Sequence, residues 1–180
     1  MQRRLLRDAE VVTDDWQYFE ELSELGAASI DIATRAPIVP FERWLNERDL
    51  WAARAGRLGI AVGPAHKLEL LVADLPRIAL IAVDFPNLGE GRGYSQARLL
   101  RERWGFSGEL RAKGSVRRDQ LFSLARCGFN SFELPDADLE AALAALRTFS
   151  AEYQVSNDLG LPVKLQRRHA ARRSGESTAG

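Results

Sequence analysis

Between Asp84 and Ser95 the chain reads Asp84-Phe85-Pro86-Asn87-Leu88-Gly89-Glu90-Gly91-Arg92-Gly93-Tyr94-Ser95, so three glycines alternate with a carboxylate and a guanidinium. Glycine lets backbone approach a ligand closely, and unpaired N–H groups at the start of a helix favour an anion. Arg92 adds a planar fork suited to phosphate, sulfate, sulfite or carboxylate. Tyr94 and Ser95 bring hydroxyls to the same place. Gly91, Arg92, Gly93, Tyr94 and Ser95 are therefore the candidate anion- or ligand-binding residues. The motif has limits: Gly-Glu-Gly-Arg-Gly is neither the Gly-x-Gly-x-x-Gly dinucleotide spacing nor a phosphate loop ending in Gly-Lys-Ser/Thr. Glu90 would repel a phosphate. A turn whose glycines only satisfy backbone geometry stands beside the anion site as an equal reading.

Two further strand ends carry charge. Arg111 lies between Leu110 and Ala112, and Glu133 between Phe132 and Leu134, so by the period of two each faces away from its apolar neighbours. Together with Asp84 they would place one cation and two carboxylates in a polar mouth, with Lys113 near enough to join. Such a set suits binding of a small polar substrate or proton transfer; a structural ion pair is the other reading. Asp84, Arg111 and Glu133 are the catalytic candidates.

Cys127 stands just before Gly128 at a helix end, where the negative end of the dipole disfavours a thiolate. A buried, inert thiol fits it better. Asp119, beside Arg117 and Arg118, reads as solvated helix surface. His66 and His169 are too isolated to make a metal cluster, so no metal site is expected. No Ser-His-Asp set is legible. With no nucleotide, haem or iron–sulfur motif in the chain, any cofactor is unknown.

A scaffold for these residues must set strand ends beside helix starts, and the sequence has that rhythm. Arg57-Leu58-Gly59-Ile60, Arg103-Trp104-Gly105-Phe106 and Arg126-Cys127-Gly128-Phe129 share one grammar of cation, apolar residue, glycine, apolar residue. It matches a helix that ends in a left-handed glycine. Strands are expected near 59–62, 78–84, 109–112 and 131–134. Helices are expected over 41–55 (entered through Pro40), 95–104, 115–127 (with Ser115 as a cap) and 136–152 (capped by Asp136), with a short turn at 67–73. The class is α/β, about four successive βα units, with a half (β/α)-barrel favoured over an open doubly wound sheet. Before it, residues 1–40 read as an N-terminal hairpin or arm around Asp14-Asp15, with 26–37 as loop. The α/β domain runs to about 163, and 164–180 is a basic tail expected to be disordered, five cations facing Glu176 alone.

Composition narrows the function classes. Of 180 residues, 25 are basic and 25 acidic, so no global positive field collects nucleic acid. One cysteine excludes a disulfide within the chain. The basic start is followed by no apolar stretch, and the longest apolar run, Ile78 to Val83, is far short of a membrane span, so neither a signal peptide nor a membrane segment is expected. The expected setting is a reducing cytoplasm.

The central motif, Asp84-Phe85-Pro86 through Gly91-Arg92-Gly93-Tyr94-Ser95-Gln96-Ala97-Arg98-Leu99-Leu100-Arg101, resembles the bacterial family filed as domain of unknown function 934. Arg118-Asp119-Gln120-Leu121, Arg126-Cys127-Gly128-Phe129, Phe132-Glu133-Leu134 and the early Asp14-Asp15-Trp16 resemble it too. One departure is Ser115, where the family commonly has Asp, and either residue caps a helix. The resemblance implies an oxidoreductase-like role in sulfite reduction, encoded beside assimilatory sulfite reductase and adenylylsulfate-type reductases. It brings no established catalytic residues. The combined expectation is an accessory protein of assimilatory sulfate and sulfite reduction and cysteine biosynthesis, with a small-oxyanion or small-molecule site at the strand ends. A non-catalytic docking partner of sulfite reductase is the alternative.

Overall fold

The computed structural model describes residues 3–20, 36–53 and 55–153. Asp8 and Ala9, both at positive φ, turn β1 (Arg4–Arg7) back into an antiparallel β2 (Glu10–Thr13), as tight hairpins do. The next strand, β3 (Trp16–Tyr18), leaves that hairpin altogether. It pairs in parallel with β4 (Ala36–Pro40), at the far end of an eight-stranded sheet ordered β2-β1-β8-β7-β6-β5-β4-β3. The remaining strands are β5 (Leu58–Val62), β6 (Ile78–Phe85), β7 (Glu109–Gly114) and β8 (Ser131–Phe132), and β3 to β8 all run parallel.

That connection dictates the shape. Laid flat, eight strands would hold the two edges about 34 Å apart, while the three Cα steps from Thr13 to Trp16 reach at most about 11 Å. The sheet must curl, and it forms a half-barrel rather than an open doubly wound sheet. Tyr18 on β3 and Glu133 just after β8 meet at 2.5 Å, which marks the face they share as the concave one.

Helices cover the other face. They are α1 (Phe41–Asn46), α2 (Arg48–Ala53), a 3-10 helix (Leu68–Arg77), α3 (Arg92–Arg98) continuing into a π turn (Leu99–Arg103), α4 (Leu121–Arg126) and α5 (Leu139–Tyr153). The main core forms between them and the outward side chains of the sheet, among them Val39, Ile60, Ile81, Val83, Phe85, Leu110, Ala112 and Phe132. A smaller core of Trp16, Tyr18, Ala36, Ile38, Leu80 and Ala82 lines the concave face.

Several expectations are corrected in detail. Residues 36 and 37 belong to a strand, not a loop; Pro37 and Pro40 masked it, because proline is rare within sheets. Asp14-Asp15 joins opposite edges of the sheet instead of turning a hairpin. Gly59 is no helix end: it sits inside β5, where a Cβ would lie 3.1–3.2 Å from Ile38, Leu80 and Trp16. The left-handed glycine after α2 is Gly56, three residues earlier. Gly105 and Gly128 do have positive φ, 64° and 106°, as the helix-end grammar requires. Ser115 caps nothing; its Oγ donates to Pro86 O at 3.4 Å, and the helical turn begins after Arg117. Pro135, not Asp136, stands at the N-cap that leads to α5. The basic tail lies outside the described residues.

Arg101 locks the lower ends of the layers together. It donates to the carbonyls of Gly128 (2.9 Å), Phe106 (2.6 Å) and Gly108 (2.9 Å) and to Asn130 Oδ1 (3.1 Å). Burial pushes its pKa down to about 10, against an opposing pull from Asp8.

Candidate functional site

β7 presents Leu110 and Ala112 to the helices, so Glu109, Arg111 and Lys113 fall on the concave face. Arg111 is placed there between Ala82 of β6 and Ser131 of β8. Its side chain is 0% exposed, yet every N–H is used. Nη1 and Nη2 each donate to Asp14 at 2.9 Å, Nη2 and Nε to Glu109 at 2.9 and 3.1 Å, and Nη1 to Glu133 at 3.1 Å. Asp14 and Glu109 are themselves 1% and 10% exposed. Burial alone would lower the pKa of Arg111; the Asp14 hydrogen bonds and the charges of Glu109 and Asp14 outweigh it and raise the value. Arg3 and Arg7 balance the excess carboxylate from the rim, 3.7 Å from Asp14 and 3.4 Å from Glu109.

Above this sealed centre lies a mouth at the carboxyl ends of the parallel strands. Tyr18 donates its hydroxyl to Glu133 at 2.5 Å. Burial first, and then the Glu133 charge, raises its pKa, so the phenol stays protonated. Lys113 Nζ stands 4.3 Å from the centroid of the Tyr18 ring. Asp84 is the register neighbour of Lys113 on β6, and neither forms an ion pair with any described residue. The mouth is tight at this edge: Gly114 has φ of 88°, and a Cβ on it would come within 2.6 Å of Phe85 O. Two buried polar atoms on the concave side, Ser131 Oγ and Trp16 Nε1, have no hydrogen-bond partner among the described residues.

Of the catalytic candidates, the structure brings Arg111 and Glu133 together and sets Asp84 on the same rim without touching them. Asp14, Glu109 and Tyr18 are additions. Nothing in local spacing points to Asp14, which lies 97 residues from Arg111; the only signal was its place in the Asp14-Asp15-Trp16 resemblance.

The glycine loop is arranged differently from a waiting anion site. Arg92 Nε and Nη2 each donate to Glu90 at 3.0 Å, and the Arg92 backbone N–H donates to the same carboxylate at 2.9 Å. Glu90 therefore occupies the fork and the first free N–H of α3, and an incoming oxyanion would have to displace it. Hydrogen bonds to Arg92 hold the Glu90 carboxyl below the usual range. Gly91 is the N-cap residue, and Gly93 is demanded by packing, since a Cβ there would lie 2.5 Å from the Phe85 ring. Tyr94 and Ser95 sit on the first turn of α3, on the helical side of the sheet.

Cys127 is buried at the end of α4. His66 is a structural residue: Nδ1 accepts the Gly63 N–H at 2.9 Å, Nε2 faces Glu42 at 2.6 Å, and the ring stacks on Phe41. Among the described residues, no group of three His, Cys, Asp or Glu is placed to hold a metal ion.

The model of a family described as bacterial protein of unknown function (DUF934) matches residues 59–163, which includes all but the first residue of β5, the strands β6 to β8, the glycine loop, Arg111 and Glu133. Among curated proteins, none matches this chain.

Proposed function

The chain belongs to this bacterial family of unknown function, and from that premise we propose that it is a cytoplasmic accessory protein of assimilatory sulfate and sulfite reduction. In this reading it binds a small, polar, oxyanion-bearing molecule at the carboxyl ends of its parallel strands. One observation carries the site: Lys113 and Asp84 stand side by side in register on the helix-free face, each charged and without an ionic partner among the described residues. Buried or rim charges elsewhere on that face are paired, so this uncommitted couple is what a ligand would meet. Lys113 would take the anionic group, while Asp84 and the outer oxygen of Glu133 accept hydrogen bonds from donors on the ligand. Tyr18 and Arg111 act on Glu133 and hold it in place.

The pathway assignment draws on the resemblance of the Asp84–Arg101 motif. A single cysteine cannot cycle an internal disulfide, so in an oxidoreductase reading the electrons come from a bound cofactor or a partner enzyme. The test is a clean deletion in the bacterium that encodes the chain. Failure to grow on sulfate and on sulfite, with rescue by sulfide, supports the reading; unimpaired growth on all three defeats it.

A second reading, docking on sulfite reductase without catalysis, has its own observation. Leu45, Leu50, Leu70 and Val72, four of the exposed large apolar side chains, lie on α1, α2 and the 3-10 helix. Those elements also line a cavity of about 390 Å³ with Trp44, Trp51, Arg48 and Asp74. Copurification with sulfite reductase that Leu50→Glu abolishes would favour docking.

A further inference from the structure

On the helical side of the sheet, α3 and α4 enclose a cleft of about 350 Å³ lined by Tyr94, Ser95, Arg98, Ser123, Arg126 and Cys127. The two helices contribute in the same pattern. Ser95 is followed one turn later by Arg98, and Ser123 by Arg126, so each helix offers a hydroxyl and a guanidinium on neighbouring turns. Neither arginine faces a carboxylate among the described residues. Among the described residues Arg98 has no hydrogen-bond or ionic partner, and Arg126 stacks over Phe122 at 5.7 Å.

Tyr94 completes the lining. Its ring is held edge-on against Phe85 at 5.7 Å, and α3 can come that close because residue 93 is glycine. Burial first, with a smaller push from the charge of Asp119, raises the Tyr94 pKa, so its hydroxyl remains a donor. Asp119 is the carboxylate felt from this end of α4.

We propose that this cleft binds the phosphate or sulfate head of a small molecule, with Arg98 and Arg126 as cations, one from each helix, and Ser95, Ser123 and Tyr94 as hydroxyl donors. The donor set selects the ligand class. Two guanidinium forks and three hydroxyls exceed what the two oxygens of a carboxylate can accept, and match a head with three or four oxygens. The volume is near the lower end of the roughly 300–1,000 Å³ range of ligand pockets, which leaves room for a small organic body beside the head. Two exposed arginines are too few for a nucleic-acid track. The cleft lies on the face opposite the strand-end mouth, so this proposal stands or falls independently of the sulfite reading.

Full-length protein titrated by calorimetry with inorganic phosphate, and separately with sulfate, tests it at low ionic strength. The wild type should bind at least one of the two. Arg98→Gln and Arg126→Gln should each weaken that binding at least tenfold, and the double variant should abolish it. The single thiol supplies a second readout, because Cys127 forms part of the cleft wall. Saturating anion should slow its alkylation by iodoacetamide several-fold in the wild type and leave the rate unchanged in the double variant. Circular dichroism establishes that the variants are folded, as expected for exposed side chains. No heat and no protection with either anion overturns the proposal, as does a double variant that binds like the wild type.

Discussion

Replacing Arg111 by methionine keeps most of the side-chain volume and removes the charge and all five hydrogen bonds it donates. What remains is Asp14 at 1% exposure and Glu109 at 10%, facing Glu133 with no central cation. Breaking one side of a buried ion pair typically costs about 3–5 kcal/mol, because the surviving charge has neither water nor partner. Arg111 serves two such carboxylates, so the predicted loss at pH 7 is about 3–5 kcal/mol, a large part of a domain's stability. Urea unfolding measures it, with the slope unchanged and the midpoint lowered. The pH dependence identifies the cause. Without Arg111 the clustered carboxylates repel one another while charged, so the variant recovers stability relative to wild type as pH falls and that repulsion is relieved. Arg111→Lys, which keeps the charge and loses the fork, should fall between the two. A loss under about 1 kcal/mol, or a gap that stays constant between pH 7 and pH 4.5, would refute the view of Arg111 as the keystone of the concave face.

Three other perturbations follow from particular contacts. Tyr18 has a raised folded-state pKa while the unfolded phenol ionises near 10; its contribution is complete below that pH and is lost as pH rises above it, at up to about 1.4 kcal/mol per pH unit. Tyr18→Phe should therefore show a flatter fall in urea midpoint between pH 9 and 11 than wild type, and parallel curves would contradict the assignment. Gly128→Ala forces φ of 106° on an L side chain and drives Cβ into the Arg101 side chain, so thermal unfolding should report a loss of about 1–3 kcal/mol; a neutral result would mean that the loop relaxes. Glu90→Gln weakens the internal clamp on Arg92 and should raise sulfite affinity if the glycine loop takes an oxyanion; unchanged calorimetric heats would leave that loop as turn geometry.

What was legible in the sequence was local. The glycines that end helices, Gly105 and Gly128, announce themselves through the cation before and the apolar residue after them. β5 and β6 show as apolar runs, and the turn of Arg111 and Glu133 away from their apolar neighbours follows from alternation alone. The rest depends on contacts that no window of sequence contains. The two-residue passage from β2 to β3 curls the sheet, and only that curl brings Asp14 to Arg111 and Tyr18 to Glu133. β4 was hidden by its two prolines, because proline is rare within sheets. Arg92 looked free because its partner is two residues away, and residue types cannot say whether Glu90 folds back onto it.

The central proposal is that this protein serves sulfite assimilation and that the mouth carrying Lys113 and Asp84 performs that role. The most direct measurement is growth of the deletion strain on sulfite as sole sulfur source, complemented by wild type or by Lys113→Met, with the variant's fold and level verified. The account predicts that wild type restores growth and that Lys113→Met does not, while sulfide supports both strains equally. Full complementation by a stably folded Lys113→Met protein would contradict it.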